Sequence, residues 1–211
     1  MDKKSVQTTE EAIMEAAKEL FLEKGYAGTS TVEIARLAGC NQSLVHYYYR
    51  SKKNLFGLVF RKHAGYLLSS LTEINEEALP FEEKMRKRIS AHFDFIHKNW
   101  KLPALFFNEI ATNFELVKEI FDTFSKEKYP LFYQFQADLD AEYEKGAIRK
   151  MDAIDLIFSV FSLNVMTFMM SPMLKLIYKS SDADMEQFLE KRKLENIELI
   201  MNSIRPFPVE K

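Results

Sequence analysis

From Ile34 to His63 the chain carries six cations, Arg36, Arg50, Lys52, Lys53, Arg61 and Lys62, and no acid. Three consecutive phenols, Tyr47, Tyr48 and Tyr49, and the amides of Asn41 and Gln42 lie in the same stretch. Positive charge interleaved with hydroxyl and amide donors is chemistry that holds a polyanion. The charge balance agrees. Residues 1–63 hold ten bases and seven acids, a balance of +3, whereas residues 64–211 hold nineteen and twenty-four, a balance of −5. A solvated helix face also collects such charges, so the basic run alone does not decide between the two.

Other chemistries find less support. His92 and His97 are five apart, off the i, i+4 register that aligns two metal ligands on a helix. Asp94 and His97 are three apart, but two ligands do not make a site, so no metal is expected. No glycine-rich phosphate loop, nucleophile elbow or paired catalytic motif occurs. No catalytic residue and no cofactor is therefore assigned, and the chain reads as a non-enzyme. The single cysteine, Cys40, excludes a disulfide framework and reads as a packing thiol rather than a redox sensor.

The elements that must position the basic stretch are legible from caps and periodicity. Thr8-x-x-Glu11 is a capping box, and Ile13, Ala16, Ala17, Leu20 and Phe21 follow at helical spacing up to Gly25. Ser30-x-x-Glu33 opens a short second helix that ends at Gly39. Asn41 can cap a third over about 42–48, and Ser51 a fourth. The fourth carries Leu55, Leu58, Val59, Tyr66, Leu67, Leu71 and Ile74 on one stripe, long enough to connect two lobes. Residues 30–55 thus read as a helix-turn-helix. Ala35 suits the close helix crossing, Gly39 suits a left-handed turn, and Ile34, Ala38, Cys40, Val45 and Tyr48 have the spacing of the contact.

The run Ala38-Gly39-Cys40-Asn41-Gln42-Ser43-Leu44-Val45-His46-Tyr47-Tyr48-Tyr49, with Ser51-Lys52 and Leu55, resembles the TetR family of repressors, whose pattern is roughly A-G-V-S-x-G-x-x-Y-x-H/Y-F-x-x-K-x-x-L. Gly25-Tyr26 and Thr29-Ser30-Thr31 fit that family's three-helix head. Cys40, Asn41, Ser43, His46 and Tyr49 depart from the pattern, and Ser43 and His46 do so within the reading helix. The specific resemblance covers about 60 residues. Beyond them, only the helical layout and Gly146-x-Ile148-Arg149 look similar.

The resemblance implies contacts to operator double-stranded DNA from Ser30, Thr31, Asn41, Gln42, Ser43, Leu44, His46, Tyr47, Tyr48 and Lys52. Gln42, Ser43 and Leu44 fall in the first turn of the recognition helix; Gln42 can pair with adenine N6 and N7, and Leu44 can touch a thymine methyl. Thr31 and Lys52 start helices, whose free N–H groups can hold phosphates. Two cations, Lys52 and Lys53, are poorly placed for their own helix dipole unless an anion sits there. Tyr47 and Tyr48 can donate to the DNA backbone, a core position being the lesser alternative for Tyr48. Tyr49 takes a core position. Asn41 is first a cap.

The rest of the chain reads as helical throughout, giving an all-α fold: a three-helix head over residues 1–55 and a larger ligand-binding and dimerisation domain over 56–211. Apolar residues make up 47%, and Gly and Pro number only six each, which favours long helices. Helices are expected after Pro80, from about Pro103, over 114–145 with a kink or break at Pro130, over 153–171 limited by Pro172, and over 184–204. Phe93, Trp100, Phe106, Phe107, Phe121, Phe124, Phe158, Phe161, Met166 and Met169 are candidate walls for an apolar or aromatic small-molecule effector. Ile197, Ile200, Met201 and Ile204 share a face that could pair in a homodimer. Residues 156–174 lack charge, but six polar or proline positions interrupt them, so a helix between a core and a partner subunit fits better than a membrane span. The first dozen residues have no apolar run of signal-peptide length, and a cytoplasmic location is expected. The function expected is a regulator, a repressor released from its operator by the effector. The alternative is an all-helical binding protein or enzyme whose head is only structural.

Overall fold

The structure, a computed structural model, describes residues 8–179 and 181–206, apart from the side chains of residues 64 and 123–130. The described residues form helices α1 (Thr9–Lys24), α2 (Thr31–Leu37), α3 (Gln42–Tyr49), α4 (Lys52–Glu76), α5 (Phe81–Lys98), α6 (Lys101–Thr112), α7 (Phe114–Glu144), α8 (Ala153–Tyr178) and α9 (Asp182–Ile204), and no strand. The fold is all-α. Each early helix starts where a side chain can replace a missing backbone partner. Thr8 and Ser30 form complete capping boxes with Glu11 and Glu33, Asn41 Oδ1 accepts the Leu44 N–H, and Ser51 Oγ accepts the Asn54 N–H. Gly25, Gly39 and Gly146 have φ of 71°, 68° and 71°, so these helices and turns end where a left-handed residue is needed.

The chain divides into two compact units. The first is the chain up to Tyr66 with Ala104–Phe124. Its core joins Ile13, Ala17 and Phe21 of α1 to Ile34 of α2, Val45 and Tyr49 of α3, Leu55, Phe56 and Val59 of α4, and Ile120 of α7. Phe21 meets Phe56 edge-on at 4.9 Å.

The second unit is Leu67–Pro103 with the chain from Ser125 onward. Here α5, α8 and α9 pack on one another around Met85, Ile89, Leu139, Leu156, Ile197, Ile200 and Ile204, with a second cluster at Phe93, Ile96, Val165, Phe168 and Leu189. A polar knot lies among them. Asn196 Nδ2 donates to Asn164 Oδ1 at 2.9 Å, and Asn164 Nδ2 reaches the Ile89 carbonyl at 3.1 Å and His92 Nδ1 at 3.0 Å. The amide is a donor there, so Nδ1 accepts, and desolvation pushes His92 down to about 4.

Three expectations are corrected. First, of the kink or break expected at Pro130, the break does not occur: α7 continues as one helix through it. Second, Pro172 lies inside α8 rather than ending it. A proline there strands the carbonyl four residues earlier, and Ser171 Oγ donates to that carbonyl, Phe168 O, at 2.9 Å. Third, the stripe Ile197, Ile200, Met201 and Ile204 is core of its own subunit, each residue at most 8% exposed. α9 spends that face on α5 and α8, which leaves it unavailable to a partner.

Candidate nucleic-acid interface

α2 and α3 are joined by a tight turn. Cys40 N–H donates to Ala35 O at 2.9 Å and Gly39 N–H to Arg36 O at 3.2 Å, closing α2 as Gly39 turns left-handed. α3 is two-sided. Val45 and Tyr49 are buried, Leu44 is half-buried against the same core, and Asn41, Gln42, Ser43, His46, Tyr47 and Tyr48 are exposed. Tyr47 is 67% exposed, whereas Tyr48 is 39% exposed and packs edge-on to it at 5.2 Å. The Tyr49 hydroxyl donates to Glu10 O at 2.9 Å, and burial raises it to about 12, so it stays a neutral donor.

Several candidate contacts carry internal bonds. Ser30 Oγ accepts the Glu33 N–H and donates to the Glu33 carboxylate. Hydrogen bonds from Lys24 and Ser30 hold that carboxyl down at about 2. Asn41 Oδ1 accepts from Leu44 N at 3.0 Å and Ser43 Oγ at 2.5 Å, so its own N–H groups remain outward. Thr31 Oγ1 accepts from Gln42 Nε2 at 2.9 Å.

Lys52 Nζ donates to Tyr26 O and Thr29 O, each at 2.8 Å, and lies 4.2 Å from the Tyr26 ring centroid. The electrostatic puzzle of a cation at a helix start thus has an internal answer: two carbonyls of the α1–α2 connection supply negative partial charge, leaving one N–H. Lys53 pairs with Glu119 at 2.5 Å and Lys62 with Glu15 at 3.7 Å. Arg36 and Arg50 are exposed and form no ion pair among the described residues.

Two features had no strong sequence signal. Arg50 adopts φ 64° without being glycine, which turns its carbonyl toward His46 Nδ1 at 3.3 Å. Glu109, 1% exposed, accepts the Tyr26 N–H at 2.8 Å and Asn113 Nδ2 at 2.7 Å. It supports the α1–α2 connection from α6, and only its place 83 residues away hides it from sequence. Gly25 has the backbone (φ 71°, ψ 178°) that only glycine readily adopts, and a Cβ there would lie 3.2 Å from the Glu109 carboxylate.

The candidate effector residues scatter. In the first unit Phe106 stacks on Phe60 at 5.3 Å, and Phe107 and Phe121 are exposed. In the second unit Phe93 is core against Phe168, Phe161 is half-buried, and Trp100, Phe158, Met166 and Met169 face outward. The Phe124 side chain lies outside the described residues. An open groove of about 510 Å³ between α8 and α9 is lined by Leu163, Met166, Met170, Leu174, Phe188 and Arg192 among others. Of the ten candidates, Met166 alone lines it.

α8 is long and apolar enough to cross a membrane by length and composition. However, Asn164 and Thr167 are buried at its middle, and Asn164 is bonded to α5 and α9. Its opposite face exposes Phe158, Met166, Met169, Met170, Met173, Leu176 and Ile177.

Comparison with known proteins matches the head closely. Residues 13–59 fit the bacterial regulatory proteins of the tetR family. The probable HTH-type transcriptional regulator YttP of Bacillus subtilis is 31% identical over 127 residues, 58% of this chain but only 60% of that relative. The HTH-type transcriptional regulator RutR of Escherichia coli is 24% identical over 207 residues, 96% of this chain and 93% of RutR. The crystal structure of the transcriptional regulator FadR of Bacillus subtilis, in complex with stearoyl-CoA, superposes with a TM-score of 0.65 at 20% identity, covering 92% of this chain and 98% of FadR. That likeness is one of fold. Residues 13–59, which hold the glycine turn and most of the capped three-helix core, are the part of this chain that matches the tetR family of bacterial regulatory proteins.

Proposed function

We propose that the chain is a DNA-binding transcriptional repressor of the cytoplasm, active as a homodimer and released from its operator by an apolar ligand, with no catalytic role. One observation carries the reading: α3 buries Val45 and Tyr49 while exposing Asn41, Gln42, Ser43, His46, Tyr47 and Tyr48. A short helix anchored on one side and lined with polar side chains on the other fits a major groove. Ser30, Thr31, Lys52, Tyr47 and Tyr48 are assigned to phosphates, Gln42, Ser43 and Asn41 to base edges, and Leu44 to a thymine methyl.

The exposed stripe of α8 with Phe188 and Leu199 of α9 is assigned to the dimer. A monomer seldom leaves so much apolar surface in water, and two such pairs would form a four-helix bundle about a two-fold axis. The effector is assigned to the residues 56–211, and the stearoyl-CoA bound by FadR supports a long apolar chain as its class. Ligand binding would favour a spacing of the two heads that no longer matches successive major grooves.

A gel-shift titration of the full chain against DNA upstream of its own gene, with random DNA as competitor, tests the reading. Binding that survives a large excess of random DNA and weakens on adding stearoyl-CoA is expected. Equal competition by random DNA would remove the operator claim.

A further inference from the structure

The exposed end of the recognition helix carries a short chain of hydrogen bonds. Gln42 Nε2 donates to Thr31 Oγ1 at 2.9 Å, across the turn in α2. The same nitrogen lies 3.5 Å from His46 Nε2, one turn along α3. The other ring nitrogen, His46 Nδ1, lies 3.3 Å from the Arg50 carbonyl. That carbonyl reaches back because Arg50 takes φ 64°.

Proton counting settles the direction of each bond. A backbone carbonyl can only accept, so Nδ1 carries the ring proton. In that tautomer Nε2 is the acceptor, and it can take one amide hydrogen from Gln42. Thr31 Oγ1 takes the other and keeps its own hydroxyl proton for an outside acceptor. Both N–H groups of Gln42 are thereby committed, and Oε1 is the atom left to face outward.

We propose that Thr31 and His46 are positioning residues that fix the Gln42 amide with its oxygen toward DNA, so that the head prefers a base with an exocyclic amino group on the strand Gln42 faces. The proposal rests on the reading that Gln42 meets a base edge. In the major groove the amino donors are adenine N6 and cytosine N4, whereas guanine and thymine offer acceptors. Two-point pairing with adenine needs the amide oxygen and one free N–H together. The observed chain leaves the oxygen alone, so adenine and cytosine are accepted alike and guanine and thymine are rejected. A glutamine without these partners would favour adenine. The departure of His46 from the family's tyrosine therefore has a consequence: an imidazole nitrogen at this place accepts an amide hydrogen and broadens the reading from one base to two.

The test uses the full chain. Its operator is selected from a random double-stranded pool, and binding is then measured for all four base pairs at each operator position. Gln42→Ala identifies the position that Gln42 reads, as the one where the four affinities become equal. At that position the unmodified chain is expected to bind adenine and cytosine within about threefold of each other, and both about tenfold more tightly than guanine and thymine, as one hydrogen bond made or left unmade implies. His46→Phe frees one amide hydrogen for adenine N7 and should favour adenine over cytosine by about tenfold. Thr31→Val should move the preference the same way, and Thr31→Ser should restore it. The ratio of adenine to cytosine is the readout, since a general loss of stability or of a phosphate contact scales all four affinities together. If Gln42→Ala levels one position but both His46→Phe and Thr31→Val keep the original ranking there, the positioning proposal is overturned and the base contact stands. If Gln42→Ala changes no ranking at any position, the base contact itself is wrong, and the proposal falls with it.

Discussion

The backbone N–H of Tyr26 donates to the buried carboxylate of Glu109 at 2.8 Å, linking the connection between α1 and α2 to α6 across 83 residues of sequence. The carbonyl of the same residue accepts from Lys52. Both peptide groups flanking Tyr26 are therefore held, and the residues that hold them, on α4 and α6, lie outside α1–α3. Glu109→Ala strands a buried N–H and should cost about 3 kcal/mol, whereas Glu109→Gln keeps an oxygen for Tyr26 and should cost about 1 kcal/mol. Urea unfolding followed by circular dichroism measures both. Equal losses for the two variants would mean that the bond to Tyr26 contributes little.

Lys52→Ala should act twice. Losing two charge-assisted hydrogen bonds to Tyr26 O and Thr29 O should cost about 2 kcal/mol of stability. Its remaining N–H is assigned to a phosphate, so operator and random DNA should weaken by the same factor, with a salt slope lower by about 0.9. Stability lost with an unchanged slope would leave Lys52 a purely internal role.

The two faces of α9 predict opposite outcomes for one kind of substitution. Leu199 is 50% exposed and Ile197 is 8% exposed. Leu199→Glu, or Phe158→Glu on α8, should give a folded monomer by sedimentation, with helical circular dichroism intact. Ile197→Glu puts a charge in the core and should unfold the second unit or cost several kcal/mol, on the order of 3–5. A Leu199→Glu, Phe158→Glu double variant that still sediments as a dimer would move the interface elsewhere.

His92 makes stability depend on pH. Its folded value, about 4, lies below the ordinary 6.5 because of desolvation. Below 6.5 the unfolded chain therefore binds a proton that the folded chain refuses, so stability falls as pH drops from 6.5 towards 4. The ceiling on this loss is about 3 kcal/mol, reached near pH 4. Above 6.5 His92 contributes no slope. Urea midpoints from pH 4 to 8 should show this, and His92→Asn should flatten the region between 6.5 and 4. An unchanged slope in that variant would assign the titration to another group.

Helix starts, glycine stops and α3 depend on bonds between residues three or four apart, and such bonds are written in the order of residues. Thr8 with Glu11, Ser30 with Glu33, Asn41 with Leu44 and the turn at Gly39 could thus be read before any contact was known. The alternation of buried Val45 and Tyr49 with exposed neighbours was legible for the same reason. Tertiary structure decided matters of sidedness. α8 is apolar on nearly every side, so its pattern names no core face; Asn164, bonded to Ile89 and Asn196, selects it. α9 has one strong stripe, and only α5 and α8 show that the stripe is spent within the subunit. Pro172 reads as a stop until Ser171 is seen to satisfy the carbonyl it strands. Lys52 reads as a free cation until the carbonyls of Tyr26 and Thr29 appear beside it, and Glu109 reads as one acid among many until Tyr26 is found against it. In most of these cases the deciding partner comes from another helix or turn, and its position is set by packing rather than by spacing along the chain.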